Sequence, residues 1–101
     1  MYKAVLLPPA KQDILEAFNW YNSKQHGLGK RFTNIVRDKV HYICQNPKSA
    51  SIRYGKTRCA VLDTFPFMIH YTVNDKLKTV VILAVFHTSV KSSFKFRVEC
   101  F

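Results

Sequence analysis

Acidic residues are scarce in this sequence, and that scarcity is its most unusual property. The 101 residues include six Asp and Glu against sixteen Lys and Arg, which gives a formal net charge of +10 at pH 7. A surface of one sign attracts polyanions and acidic proteins, although it carries no information about fold. The alternative is a basic bias of an ordinary solvated surface. Because the excess is so large for the length, the composition favours an acidic partner.

Cysteine and long apolar runs are also scarce, and each scarcity excludes a class of protein. Cys44, Cys59 and Cys100 are widely spaced, form no CxxC pair and are expected to be reduced thiols. The four histidines form no ligand motif with them, so we expect neither a metal nor a cofactor. No stretch has the length of a transmembrane helix, and the apolar run near the N-terminus stops at Pro8. We therefore expect a cytoplasmic protein without a membrane partner.

The residues that are abundant predict one folded domain. Apolar residues make up 48% of the chain, and only three glycines and four prolines interrupt it. The length predicts a single domain over residues 1–101. Residues 90–101 alternate aromatic and basic side chains, which is compatible with a further strand or with a flexible tail.

The first half of the chain predicts a strand followed by two helices. Residues 2–7 are a short apolar run closed by two prolines, typical of an opening strand. Apolar residues then recur with helical spacing over residues 10–21 and again over 28–43, separated by His26-Gly27. The short connection predicts an antiparallel helical hairpin. The outer face of the second helix carries basic residues, which are more often a solvated face than a binding surface: Lys30, Arg31, Arg37 and Lys39.

The second half of the chain predicts β-structure. Residues 47–56 are polar and predict a loop or irregular edge, and residues 59–63 predict a short strand. Residues 67–73 alternate with period two, and a turn follows at 74–76. Residues 79–86 are almost continuously apolar, as in a central strand covered on both faces. The predicted fold class is α+β: an N-terminal strand, an antiparallel helical hairpin and an antiparallel three-strand meander, with the helices packed on one face of the sheet.

Basic residues and histidines are the candidates for chemistry, because nucleophilic triads, paired carboxylates and glycine-rich phosphate loops find no support. We expect these residues to converge on the sheet face that the helices leave open, where Lys and Arg bind phosphates and histidine moves protons. The alternative is a pair of half-buried strand histidines with a solvated basic rim. The set comprises Lys48, Arg53, Lys56, Arg58, His70, His87 and Lys91.

Two segments of the β-rich half resemble a known family. The sequences FPFMIHY at 65–71 and VVILAVFHTS at 80–89 resemble the RelE/ParE superfamily, the toxins of bacterial type II toxin–antitoxin systems, often labelled plasmid stabilisation proteins. The resemblance covers residues 2–89. It implies the fold described above and a cognate antitoxin, often acidic in its binding segment, that holds the toxin inactive in a hetero-oligomer.

The resemblance implies one of two mechanisms. The RelE-like branch cleaves mRNA on the ribosome without a metal, and the ParE-like branch poisons DNA gyrase. For a ribonuclease the catalytic residues implied here are His87, Arg58 and His70. For either target the implied binding residues are Arg53, Lys56, Arg58 and Lys91.

The end of the last predicted strand favours the ParE-like branch. Phe86-His87-Thr88-Ser89 is similar to that branch, and no Tyr follows Tyr71 as it often does in the nucleases. However, Val90 stands where relatives with this ending commonly have Arg. We therefore expect a gyrase inhibitor that is not an enzyme. The alternatives are a ribosome-dependent mRNA endoribonuclease and an inactive toxin fold that binds nucleic acid.

Overall fold

A computed structural model of the chain describes residues 1–62 and 64–88. Within them, a strand and two helices precede four further strands. In chain order these are β1 (Lys3–Leu6), α1 (Pro8–Lys24), α2 (Leu28–Gln45), β2 (Ile52–Tyr54), β3 (Thr57–Val61), β4 (Phe67–Asn74) and β5 (Thr79–His87).

The strands form one mixed sheet in the order β1-β5-β4-β3-β2. The pairs β2–β3, β3–β4 and β4–β5 are antiparallel, as expected for a meander, whereas β1 pairs parallel to β5. A bulge lies where Tyr71 pairs with Ile82 and His70 with Ala84, which leaves Leu83 as the extra residue of β5. The predicted α+β fold class, with its helical hairpin and meander, is confirmed.

Residues 47–56, predicted as a loop or irregular edge, contain the edge strand β2, whose three residues are all exposed. The structure departs from the sequence-based prediction at β5. The expected cover on both faces of β5 is incomplete, since Val81 and Leu83 are only half-buried. The predicted strand or tail at residues 90–101 lies outside the described residues.

The helical hairpin is closed by a tight approach between its two helices. The side-chain oxygen of Asn22 accepts a hydrogen bond from the Gly29 N–H at 2.9 Å, which satisfies one donor of the first turn of α2. A Cβ at position 29 would lie 2.4 Å from the Phe18 carbonyl oxygen, so only glycine fits there. Gly27, with a φ of 86°, turns the chain between the helices. Neither helix is apolar over the length that a bilayer requires.

The core lies between the helices and one face of the sheet. At one end, the rings of Tyr21, Phe32, Phe65 and Phe67 pack together with centroid distances of 4.8 to 6.1 Å. Ile69, Tyr71, Val80 and Ile82 continue this core along β4 and β5, and each is fully buried. Burial of these large apolar side chains is the main source of stability of the fold.

A buried carboxylate joins the helical layer to the sheet. Strand β1 ends at Leu6, opposite Ile82, so it does not reach the last part of β5. There Asp13 of α1, which is 4% exposed, accepts a hydrogen bond from the Val85 N–H at 3.0 Å. The helix thus supplies an acceptor at a point where the sheet has no neighbouring strand.

Candidate functional site

The β2–β3 hairpin carries the most accessible of the predicted target-binding residues. Arg53 lies in β2 and Lys56 in the following turn, and both side chains are exposed. Gly55 has a φ of 52°, which makes this two-residue turn possible. Because β2 is the edge strand, both cations extend from the rim of the sheet into solvent and are available to an acidic surface.

Arg58 is also predicted to bind the target, but its guanidinium is engaged by the main chain. Its Nη1 donates to the Ala50 carbonyl at 2.6 Å and lies 3.4 Å from the Lys48 carbonyl. Tyr71 donates its hydroxyl to the Pro47 carbonyl at 2.9 Å, so two sheet residues secure the same segment. In this structure Arg58 holds the segment that leads from α2 to β2.

Lys48 of that segment takes part in an exposed cluster. Its Nζ lies 3.0 Å from the Asp75 carboxylate, and Tyr2 donates its hydroxyl to the same carboxylate at 2.7 Å. These bonds lower the pKa of Asp75, chiefly through Tyr2. The cluster connects the N-terminus, the segment after α2 and the β4–β5 turn.

His70 is the centre of a polar cluster on the open face of the sheet. Its Nδ1 lies 3.0 Å from the Tyr54 hydroxyl and 3.3 Å from the Cys59 sulfur, so the contact joins β2, β3 and β4. Burial, with a smaller contribution from the positive charge of Arg53, lowers the pKa of His70 from 6.5 to about 4. The imidazole is therefore neutral at pH 7, and at 3% exposure it is out of reach of a bulky substrate.

His87 lies on the other face of the sheet, so the expected convergence of the two histidines is wrong. His87 pairs with Phe67, and the two rings meet with centroids 5.1 Å apart. Phe67 in turn packs on Phe32 of α2, which places His87 on the helix-covered side. The reason is the bulge at Leu83: strict alternation from the buried Ile82 would put His87 on the open face, and the extra residue moves it to the helix-covered face.

Lys91 lies outside the described residues. Within residues 1–62 and 64–88, no group of three His, Cys, Asp or Glu side chains gathers in a way that would hold a metal ion.

Sequence reasoning missed Tyr54, which links the exposed hairpin to the buried histidine. Its side chain is 46% exposed while its hydroxyl reaches His70. Burial raises the pKa of Tyr54, so the hydroxyl keeps its proton at neutral pH. An aromatic residue directly after Arg53 in a polar segment is the available signal, and the prediction of a loop or irregular edge gives this side chain no role.

A known family matches almost the whole chain. The model described as the ParE toxin of type II toxin–antitoxin systems, parDE, matches residues 4–91. No curated protein sequence is significantly similar to the chain.

Solved toxin–antitoxin structures share the fold. A chain of the chromosomal ParDE system from P. aeruginosa is 15% identical with a TM-score of 0.76, over 88% of this chain and 98% of that one. The isolated RelE toxin of E. coli is 14% identical with a TM-score of 0.67, over 98% and 97% of the two chains. A chain of the intact E. coli RelBE complex is 15% identical with a TM-score of 0.66, over 85% and 95%. At these identities the similarity shows the fold alone.

Proposed function

The chain belongs to the family of ParE toxins of type II toxin–antitoxin systems, and we propose that it arrests growth by inhibiting DNA gyrase in the cytoplasm. A family match over residues 4–91 supports the toxin role. The choice of gyrase over mRNA rests on one observation, the separation of the two histidines on opposite faces of the sheet.

That separation matters because cleavage of RNA through the 2′-hydroxyl requires a general base and a general acid on either side of one phosphate. His70 is buried and His87 lies on the helix-covered side, so the two do not face one phosphate. Arg58, the third candidate, already binds main-chain carbonyls. A toxin that acts by binding needs no such acid–base pair, and the exposed Arg53 and Lys56 provide a contact surface for it.

Inducible expression followed by two biochemical assays tests this proposal. Expression is expected to arrest growth, and the purified protein is expected to inhibit supercoiling by gyrase. The double substitution Arg53→Ala and Lys56→Ala is expected to weaken inhibition at least about tenfold, since exposed cations at an interface control association. Lys76→Ala, in the exposed β4–β5 turn, is the control that leaves inhibition unchanged.

The alternatives give different results in the same experiments. Cut mRNA in a translating extract together with normal gyrase activity would identify a ribosome-dependent endoribonuclease. Normal growth, intact mRNA and active gyrase would identify an inactive member of the fold.

We further propose that a cognate antitoxin neutralises the toxin by docking in the groove between α2 and the segment that follows β3. Apolar side chains of Ile35, Tyr42 and Leu62 line this groove, with Asp38 and Lys39 also at its wall. The similar P. aeruginosa and E. coli structures come from ParDE and RelBE toxin–antitoxin systems. A segment that folds on binding suits an open apolar groove with charged walls.

Co-expression with the product of the neighbouring gene tests the antitoxin proposal. The antitoxin is expected to restore growth to cells that express the toxin and to co-purify with it in a hetero-oligomer. Tyr42→Ala, which removes a 47% exposed ring from the groove, is expected to lower rescue while leaving growth arrest intact. Equal rescue of Tyr42→Ala and the unmodified toxin would place the docking surface elsewhere.

A further inference from the structure

A line of polar and basic side chains runs along the outer surface of α2, away from the core. Four of its residues follow the spacing i, i+4, i+7 and i+11, which places them on one line about 16 Å long. Arg31 flanks the line at its N-terminal end. We call this set the α2 stripe: Lys30, Arg31, Asn34, Arg37 and His41.

The positive charge of the α2 stripe is not neutralised by nearby carboxylates. Lys30, Arg31 and Arg37 are exposed, and the part of the chain that the structure describes shows no ion pair to any of them. Solvated helix faces are commonly balanced by acidic residues three or four positions away. Here Asp38 is the one acid of α2, and it lies beside the stripe, on the side that lines the groove with Tyr42.

One cation of the stripe is held in a fixed orientation. The Arg37 Nη2 donates to the Asn34 side-chain oxygen at 2.7 Å, which limits the rotamers of a long exposed side chain. A guanidinium that is ordered before binding loses less conformational entropy when it meets an oxyanion.

We propose that the α2 stripe binds the phosphodiester backbone of duplex DNA, without reading its sequence. A rigid line of cations matches a rigid duplex, which carries one negative charge for about every 1.7 Å of its axis. Single strands are held by grooves lined with stacking aromatic rings, and the stripe offers one ring, the His41 imidazole, on the outside of a helix. Protein partners are anchored by buried aromatic, apolar and Arg side chains, and the stripe contains no Trp, Tyr, Phe or aliphatic residue to serve as such an anchor.

The stripe is separate from the surface proposed to bind gyrase, and Asp38 lies between the stripe and the groove proposed for the antitoxin. The stripe lies on the helical layer, whereas Arg53 and Lys56 lie at the β2 edge of the sheet. DNA binding by α2 is therefore testable whether or not the toxin acts on gyrase.

Binding of a mixed-sequence duplex oligonucleotide over a salt series tests the proposal. The triple substitution Lys30→Gln, Arg31→Gln and Arg37→Gln is expected to make the slope of log K against log salt shallower by about 2 to 3, because each phosphate contact contributes about 0.9. A matched control removes the same charge elsewhere on the exposed surface, through Lys3→Gln, Lys11→Gln and Lys76→Gln. That control is expected to change the slope by less than about 1.

Asp38→Asn provides a second test, in which the variant is expected to bind DNA more tightly and not more weakly. Removing this exposed carboxylate beside the stripe is expected to strengthen duplex binding, with the largest gain at low salt. Both variants and the control are first compared by circular dichroism to confirm that they are folded.

Three outcomes would overturn the proposal. Equal loss of affinity in the two triple variants would show attraction by net charge alone. Tighter binding of a single strand than of the duplex would show that the stripe does not select a rigid duplex. Competition by polyglutamate that is stronger than competition by duplex at equal charge concentration would identify an acidic protein as the partner.

Discussion

At the scale of single residues, Asp13 shows how one side chain substitutes for a missing strand. Its carboxylate accepts the Val85 N–H in a region from which water is excluded. A buried backbone donor that loses its acceptor costs about 1–3 kcal/mol. We therefore expect Asp13→Ala to lower the free energy of unfolding by at least that amount, as measured by urea denaturation.

The exposed acid on the same helix provides the control for Asp13. Glu16 bonds only to Gln12 in the described residues, so Glu16→Gln is expected to change stability by less than about 0.5 kcal/mol. If the two substitutions had equal effects, the Asp13–Val85 bond would not be the reason.

His70 makes the stability of the fold depend on pH in a defined range. The unfolded chain binds a proton at His70 near pH 6.5, whereas the folded protein does so only near pH 4. The folded state is thus penalised as the pH falls from about 6.5 to about 4, by roughly 3 kcal/mol at the lower end. Unfolding curves measured through this range are expected to show the loss, and His70→Gln is expected to flatten it.

Tyr54→Phe tests whether the hydroxyl contact contributes to the His70 effect. Because burial and the charge of Arg53 are the causes of the low pKa of His70, this variant is expected to retain the pH slope while losing the hydroxyl contact. Asp75 also makes stability depend on pH, but its pKa is lowered, chiefly by Tyr2. Its stabilising effect is therefore lost mainly at pH values below this range. A His70→Gln protein with an unchanged slope would contradict the assignment.

At the scale of elements, Arg58 is expected to stabilise the fold and not to bind the target. Its bond to the Ala50 carbonyl fixes the segment between α2 and β2. Arg58→Ala is expected to cost about 1.5–3 kcal/mol, the range for hydrogen bonds to charged groups, and to speed amide exchange over residues 48–51. Arg53→Ala, two residues from that segment in β2, is expected to leave the exchange unchanged. Faster exchange in Arg53→Ala, with no change in Arg58→Ala, would indicate that Arg58 is available to bind the target.

The elements that sequence predicted best are those with a strong apolar period. In α2, apolar residues at helical spacing require one buried face, as Phe32, Val36 and Ile43 show. In β4 the alternation requires the same of Ile69 and Tyr71, so the sequence predicted the bounds of both elements closely. Strand β2 has no such pattern, because its three residues are exposed and are positioned by pairing with β3 and by the contact of Tyr54 with His70. Pairing partners are a tertiary property, which a local pattern does not contain.

The candidate site was less predictable than the fold for a related reason. The alternation correctly placed His70 opposite Phe67, Ile69 and Tyr71. It did not reveal that the bulge and the register put His87 on the helix side, or that Arg58 meets the carbonyl of Ala50. Both facts depend on contacts between segments that are far apart in sequence.

At the scale of the whole molecule, the excess of positive charge is expected to destabilise the compact state at low ionic strength. Raising NaCl from about 10 mM to about 150 mM shortens the screening length from about 30 Å to about 8 Å. Repulsion among the cations that give the net charge of +10 is then weakened, so the melting temperature is expected to rise. The variant with Lys3, Lys11 and Lys76 changed to Gln is expected to show a smaller rise. A melting temperature that falls with added NaCl would show that ion pairs outweigh the repulsion.

The place of β5 in the sheet has a consequence for synthesis on the ribosome. Residues Thr79 to Ile82 pair with Lys3 to Leu6 on one side, and β5 pairs with β4 on the other side along its length apart from Leu83. The strand that joins the first element to the meander is therefore the last described strand to leave the exit tunnel. Pairing across so long a separation is slow compared with formation of the helical hairpin. A nascent chain consequently has no complete sheet until β5 has been translated, and a truncated product that ends before Thr79 is expected to be a harmless unfolded polypeptide.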